Sequence, residues 1–187
     1  EEPIAAAIGA EIPIDESSGY MIVNVGGGTT EIAVVSVGGI VSNKSLRIGG
    51  EEFDKAIMAF VKRDYNLLIG ERTAENVKIA IGAAYPKAQE AYMEIRGRDL
   101  VTGLPKNIKL SSSEIVEALK DPIGVIVEAI KTTLEATPPE LASDIYEQGI
   151  VLTGGSAYLD GFDKIIRIET GMAVVCPESP ETTVIKG

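Results

Sequence analysis

Three short runs rich in apolar and β-branched residues, at 20–25, 31–37 and 40–46, are separated by Gly26-Gly27-Gly28 and by Gly38-Gly39. β-Branched residues fit a pleated, half-buried surface, and glycines supply the positive φ that tight connections between strands need. The spacing therefore predicts an antiparallel meander of three strands. A helix should follow at 51–63, where Phe53, Ile57, Phe60 and Val61 share one face and Glu52, Lys55, Lys62 and Arg63 surround it.

Further along, 73–81 reads as a short helix with Thr73 as its N-cap, and strands at 91–96 and 107–110 flank a Gly/Pro turn at 102–105. Ser111-Ser112-Ser113-Glu114 supplies caps for a helix at 115–119, and a second helical stretch, 123–134, continues beyond Asp121-Pro122 until Pro138-Pro139 stops it. This part reads as a small α/β lobe inserted into the first. A buried-strand pattern at 150–153 then runs into Gly154-Gly155, followed by a helix at 159–168 and a short strand at 174–177. At the start, 1–10 reads as a helix entered near Pro3 with nothing before it to pack its Ile4 and Ile8 face, so a piece of a longer protein is expected.

Composition narrows the chemistry. A 45% hydrophobic chain of 187 residues can bury a real core and is expected to be soluble and globular. Its net charge of -11 argues against a nucleic-acid surface, which needs clustered Lys and Arg. With no histidine and one cysteine, Cys176, it has no disulfide framework, no Cys/His zinc site and no imidazole-based triad, and a reducing compartment is expected. No apolar run approaches the roughly 20 residues of a membrane-spanning helix.

The sharpest motif is Asn24-Val25-Gly26-Gly27-Gly28-Thr29-Thr30-Glu31. Glycines let an anion approach the backbone, successive amides can converge on phosphate oxygens, and the Thr hydroxyls add donors. Glu31 could orient or deprotonate a water attacking a terminal phosphate. A plain glycine hairpin with a solvated Glu has the same sequence. A second turn, Thr153-Gly154-Gly155-Ser156-Ala157, follows a strand and suits a ribose or an α-phosphate, or is an ordinary strand-to-helix turn. Glu75 and Lys78, three apart on one helix face, could grip a sugar and a base, or form a surface ion pair.

In order along the chain, VNVGGGTTEIAVVS resembles the second phosphate loop of the actin and Hsp70 ATPase superfamily, and LTGGSAYL its adenosine motif. EEPIAAAIGA, KSLRIGGEEFDKAI, NLLIGERTAENVKI, IRGRDLVTGLP, TPPELASDI and GIVLTGGSAYLDG resemble segments of the MreB/Mbl family of bacterial actins, which extends the resemblance over essentially the whole chain. The resemblance implies an α/β actin-like ATPase lobe, ribonuclease-H-like, formed by 1–69 and 144–187, with a small α/β subdomain inserted at 70–143. It implies ATP and Mg2+ as ligands. Gly26, Gly27, Gly28, Thr29 and Thr30 would meet the phosphates and Glu31 would assist hydrolysis; Glu75 and Lys78 would contact the adenosine; Gly154, Gly155, Ser156 and Ala157 would close over ribose, α-phosphate and base.

Two positions depart from the family pattern: Asn24 stands where an Asp usually helps to hold hydrated magnesium, and Ser156 where a third Gly is usual. The other phosphate loop would lie in a preceding half. The implied partners are further copies in filaments, the cell-wall elongation machinery and the inner face of the cell membrane, from the cytoplasmic side, with no nucleic acid. A chaperone or sugar kinase of the same superfamily, or a filament scaffold with impaired hydrolysis, are the other readings.

Overall fold

The computed structural model describes residues 18–37 and 39–177, so the helix expected at 1–10 lies outside the described residues. The chain packs as two compact units. One ends at residue 50 and resumes over 124–158 and from 163; the other comprises 51–123 and 159–162.

The first unit is built on a five-stranded sheet with the order β3-β2-β1-β7-β8. Its first three strands, β1 (Tyr20–Val25), β2 (Thr30–Ser36) and β3 (Gly39–Leu46), are the antiparallel meander that the sequence pattern predicts. β7 (Ile150–Thr153) lies parallel to β1, and β8 (Val174–Val175) parallel to β7. Every residue of β1 is buried, as expected for a central strand covered on both faces, whereas the edge strand β3 carries Ser42, Asn43, Lys44 and Ser45. On one face the register stacks Tyr20 on Val35, and Ile22 between Ala33 and Val151, into a buried apolar cluster.

The meander's connections differ from expectation in one respect. None of the described glycines in them takes a positive φ; the residue that does is Val37, at φ 53. β2 and β3 also shift register between Val34 and Val35, and Val37 is an exposed β-branched residue, a type poorly suited to that conformation.

Helices depart from expectation where proline is involved. The two stretches expected on either side of Pro122 are one helix, α3 (Ser112–Glu135), with Pro122 inside it. A proline inside a helix costs about 3 kcal/mol. Against that, Ile115, Leu119, Ile123, Ile126 and Ile130 form an unbroken buried stripe, each side chain contributing about 1.5 to 3 kcal/mol. The long helix ends at Glu135, before either proline of the pair, and Pro139 opens α4 (Pro139–Gln148), where its missing N–H and fixed φ suit the first turn.

The second unit holds α1 (Gly50–Tyr65) from residue 51 onward, α2 (Glu71–Ile81) and a three-stranded antiparallel sheet, β4 (Leu67–Leu68), β5 (Tyr92–Asp99) and β6 (Pro105–Ser111). α1 buries Phe53, Ile57, Phe60 and Val61 as predicted, and the Phe53 ring packs 6.1 Å from that of Phe162, the first residue of α5 (Phe162–Thr170). Residues 51–65 and 159–162, which include both rings, belong to this unit. Thr73 is not the N-cap of α2: the helix begins at Glu71, two residues earlier, after Gly70, with no side-chain cap. The expected cap of α3 is present, with Glu114 accepting from the Ser111 amide and Ser113 donating to Glu90.

Candidate functional site

The site begins at the carboxyl ends of the parallel strands β1 and β7, where Asn24 lies opposite Thr153 and both strands run into glycine turns. Ligands of α/β sheets commonly collect at such strand ends. The β1–β2 hairpin is closed by Gly26 N–H donating to the Thr29 carbonyl at 2.9 Å, which leaves Gly27, Gly28 and Thr29 exposed at its apex. Gly50 N–H, at the start of α1, donates to the Gly26 carbonyl at 2.9 Å. Gly49 lies so close beneath the turn that a Cβ there would come within 2.4 Å of the Gly26 oxygen. Thr30 is buried and its hydroxyl donates to the Ile48 carbonyl at 2.6 Å, so Thr29 carries the exposed hydroxyl of the pair.

The second turn packs on the first. Gly154 has φ +96, and an added Cβ would meet the Val25 oxygen at 2.4 Å and Asn24 Oδ1 at 2.6 Å. A 3-10 helix, Gly155–Tyr158, follows it, with Ala157 N–H donating to the Gly154 carbonyl at 3.1 Å. Ser156 Oγ donates to the Gly26 carbonyl at 3.3 Å. The residue that departs from the usual third glycine thus ties the two turns together. All the candidates of the first unit, from Asn24 to Glu31 and from Gly154 to Ala157, are brought to one end of one sheet.

Across that end the register aligns Thr153, Asn24, Glu31 and Ser45 on four adjacent strands. Residues directly opposite share a face, so this polar row continues the face that carries the Tyr20, Ile22, Ala33, Val35 and Val151 cluster. Asn24 and Thr153 are buried; Glu31 is half-buried and accepts a hydrogen bond from Ser45 Oγ at 2.6 Å. Among the described residues there is no group of three or more His, Cys, Asp or Glu side chains able to hold a metal ion. An amide oxygen beside one carboxylate fits a magnesium ion that keeps most of its waters and arrives with phosphates, since Mg2+ uses few protein oxygens.

Glu75 and Lys78 belong to the second unit, on α2. Glu75 is exposed, while Lys78 Nζ forms an ion pair with Asp54 of α1 at 2.9 Å, with both side chains largely covered. Sequence reasoning missed Asp54. Burial pushes its carboxyl above the ordinary value, Lys78 opposes that, and Glu75 and Glu71 add to it. Lys78→Met should therefore destabilise the chain by about 2 kcal/mol near neutral pH, because it leaves a covered carboxylate without its cation. Asp54 would then sit higher still. A raised carboxyl favours the folded state as pH falls through its folded-state value, so the loss should shrink toward about pH 4. Urea denaturation of both proteins at the two pH values checks this; equal losses at both would remove Asp54 from the account.

The model of the MreB/Mbl protein family matches residues 1–187. The chain belongs to the MreB/Mbl family. It is 52% identical over 187 residues to the cell shape-determining protein MreB of Escherichia coli strain K12, covering 100% of this chain and 54% of that protein. It is 48% identical to the cell shape-determining protein Mbl of Bacillus subtilis, again across the whole chain and 56% of the relative. Among solved structures, MreB5 of Spiroplasma citri bound to ADP superposes with a TM-score of 0.97 at 39% identity, over 100% of this chain and 56% of that one. The fold is therefore actin-like, and this MreB/Mbl chain spans about half the length of the relatives it matches.

Proposed function

We propose that this chain supplies one wall of the ATP site of a bacterial actin-like cytoskeletal protein, which binds and hydrolyses ATP, assembles with further copies into filaments at the inner face of the cell membrane, and directs rod shape and cell-wall synthesis. The observation that carries the reading is the pair of glycine turns joined by the Ser156–Gly26 bond at the end of the polar row. The MreB5 relative was solved bound to ADP and bound to AMPPNP, which supports nucleotide binding.

In this reading the exposed Gly27, Gly28 and Thr29 receive the β- and γ-phosphates through backbone amides and the Thr29 hydroxyl. Gly155, Ser156 and Ala157 lie against the α-phosphate, ribose and base. Glu31 orients the attacking water and accepts its proton as the water oxygen bonds to the γ-phosphorus, the bond to the bridging oxygen breaks and ADP leaves. Asn24 and Glu31 would hold the waters of a Mg2+ ion arriving with the phosphates, which would supply neutralisation of their charge. Asn24 also favours a second reading, a filament scaffold with slow turnover, because an amide there contributes no charge.

Phosphate release by the full-length protein containing this chain, with and without Glu31→Gln, tests the proposal. We expect ATP-dependent release that Glu31→Gln lowers by about a hundredfold or more. Nucleotide binding without release would establish the scaffold, and no nucleotide binding would overturn both readings.

A further inference from the structure

We infer that the Ser156 hydroxyl slows the release of nucleotide from this site by holding the two glycine turns at a fixed spacing, an inference that rests on the nucleotide reading just given. Gly26 supplies the point of attachment. Its carbonyl oxygen has two lone pairs, and both are used: Gly50 N–H, at the start of α1, donates to it at 2.9 Å, and Ser156 Oγ donates to it at 3.3 Å. Residues 26, 50 and 156 thus meet on one oxygen. Ser156 is half-buried, so water competes only in part for its hydroxyl.

Each turn is also braced by itself. Gly26 N–H closes the first turn on the Thr29 carbonyl, and an added Cβ at Gly49 would come within 2.8 Å of the Gly27 oxygen, so chain lies directly beneath it. In the second turn Ala157 N–H donates to the Gly154 carbonyl, and Gly154 sits against the Val25 oxygen and Asn24 Oδ1. Ser156 couples these two braced pieces through a side chain, a bond that a glycine at 156 has no atom to make. The consequence is confined to ligands that span both turns. In the proposed placement ADP does so, with its β-phosphate on the first turn and its α-phosphate and ribose on the second. Fixing the spacing beforehand lowers the ordering cost of binding such a ligand, and differences of this origin appear mainly in the dissociation rate. AMP lacks the β-phosphate, reaches the second turn alone and gains nothing from the tie.

The experiment uses the full-length protein containing this chain. It follows release of a fluorescent ADP analogue on chase with unlabelled ADP, beside equilibrium competition by AMP and the melting temperature without nucleotide. Ser156→Ala should speed release of the ADP analogue roughly two- to tenfold, the range expected for one neutral hydrogen bond, with the association rate, the AMP affinity and Tm unchanged. Ser156→Gly should speed release at least as much. Equal losses of AMP and ADP affinity in Ser156→Ala at unchanged Tm would make the hydroxyl a direct ligand of the nucleotide and overturn the tie. Equal losses accompanied by a lower Tm would mark a general loosening of this end of the sheet and overturn it too. Release from Ser156→Ala at the parent's rate would overturn the inference and leave the nucleotide reading standing, whereas a parent protein that binds no ADP would overturn both.

Discussion

Gly154→Ala should destabilise the chain by about 3 to 5 kcal/mol and lower its melting temperature by roughly 10 °C. Two costs add. Gly154 sits at φ +96, where an L side chain is strained by about 1 to 2 kcal/mol, and the new Cβ would fall 2.4 Å from the Val25 carbonyl oxygen. That oxygen belongs to the central strand of the five-stranded sheet and cannot rotate aside as a side-chain tip would. The neighbouring Gly155 is the matched control. Its φ is ordinary and an added Cβ there meets nothing within 4 Å, so Gly155→Ala should change stability by less than about 0.5 kcal/mol. Thermal denaturation of the two variants separates a glycine that the fold requires from one that only a ligand could require. If Gly155→Ala melts like the parent and weakens nucleotide binding in the full-length protein, the close approach at 155 is to the nucleotide. Equal melting of the Gly154→Ala variant and the parent would show that the two turns are not packed as described.

This contrast marks where the sequence stopped being informative. Both glycine turns were legible because glycine doublets and triplets after apolar runs are local signals, and the meander was legible for the same reason. Which glycine is indispensable was not. Gly26, inside the motif, would tolerate a Cβ at ordinary contact distance from the Thr29 oxygen. Gly49 and Gly154 are fixed by the approach of chain more than twenty or a hundred positions away, and no local pattern carries that distance.

The helices show the competition between a local breaker and a longer stripe. Pro122 looks like an end over a window of a few residues, yet the apolar positions from Ile115 to Ile130 keep a helical period through it, and their burial outweighs one lost hydrogen bond. β4, two residues long, offers no pattern to read at all. At the site, Glu31 and Asn24 stood out because of their motif, whereas Ser45 and Asp54 meet partners 14 and 24 positions distant, within reach only once the strands and helices are assembled.

Asn24→Asp should act in opposite directions on stability and on catalysis. The side chain is only 5% exposed and stands directly opposite Glu31, so a carboxylate in its place would be desolvated and would face a like charge across the strand pair. Both effects raise its folded-state pKa above the ordinary aspartate value. A carboxyl raised in this way penalises the folded state at pH above that value, and the penalty disappears as pH falls below the unfolded-state value. Near neutral pH the chain should lose on the order of 3 kcal/mol relative to Asn24, and little at about pH 4. Adding Glu31→Gln should return part of the loss, because it removes the facing charge. In the full-length protein with ATP present the same carboxylate becomes an asset: raising the magnesium concentration should restore stability to the Asn24→Asp variant more than to the parent, and should raise its phosphate release, since a carboxylate holds hydrated magnesium better than an amide. Urea denaturation across pH, and phosphate release against magnesium concentration, measure the two arms. A pH-independent stability difference would show that position 24 is wetter than its burial implies, and superimposable magnesium curves would leave Asn24 a strand-end polar residue with no part in handling the metal.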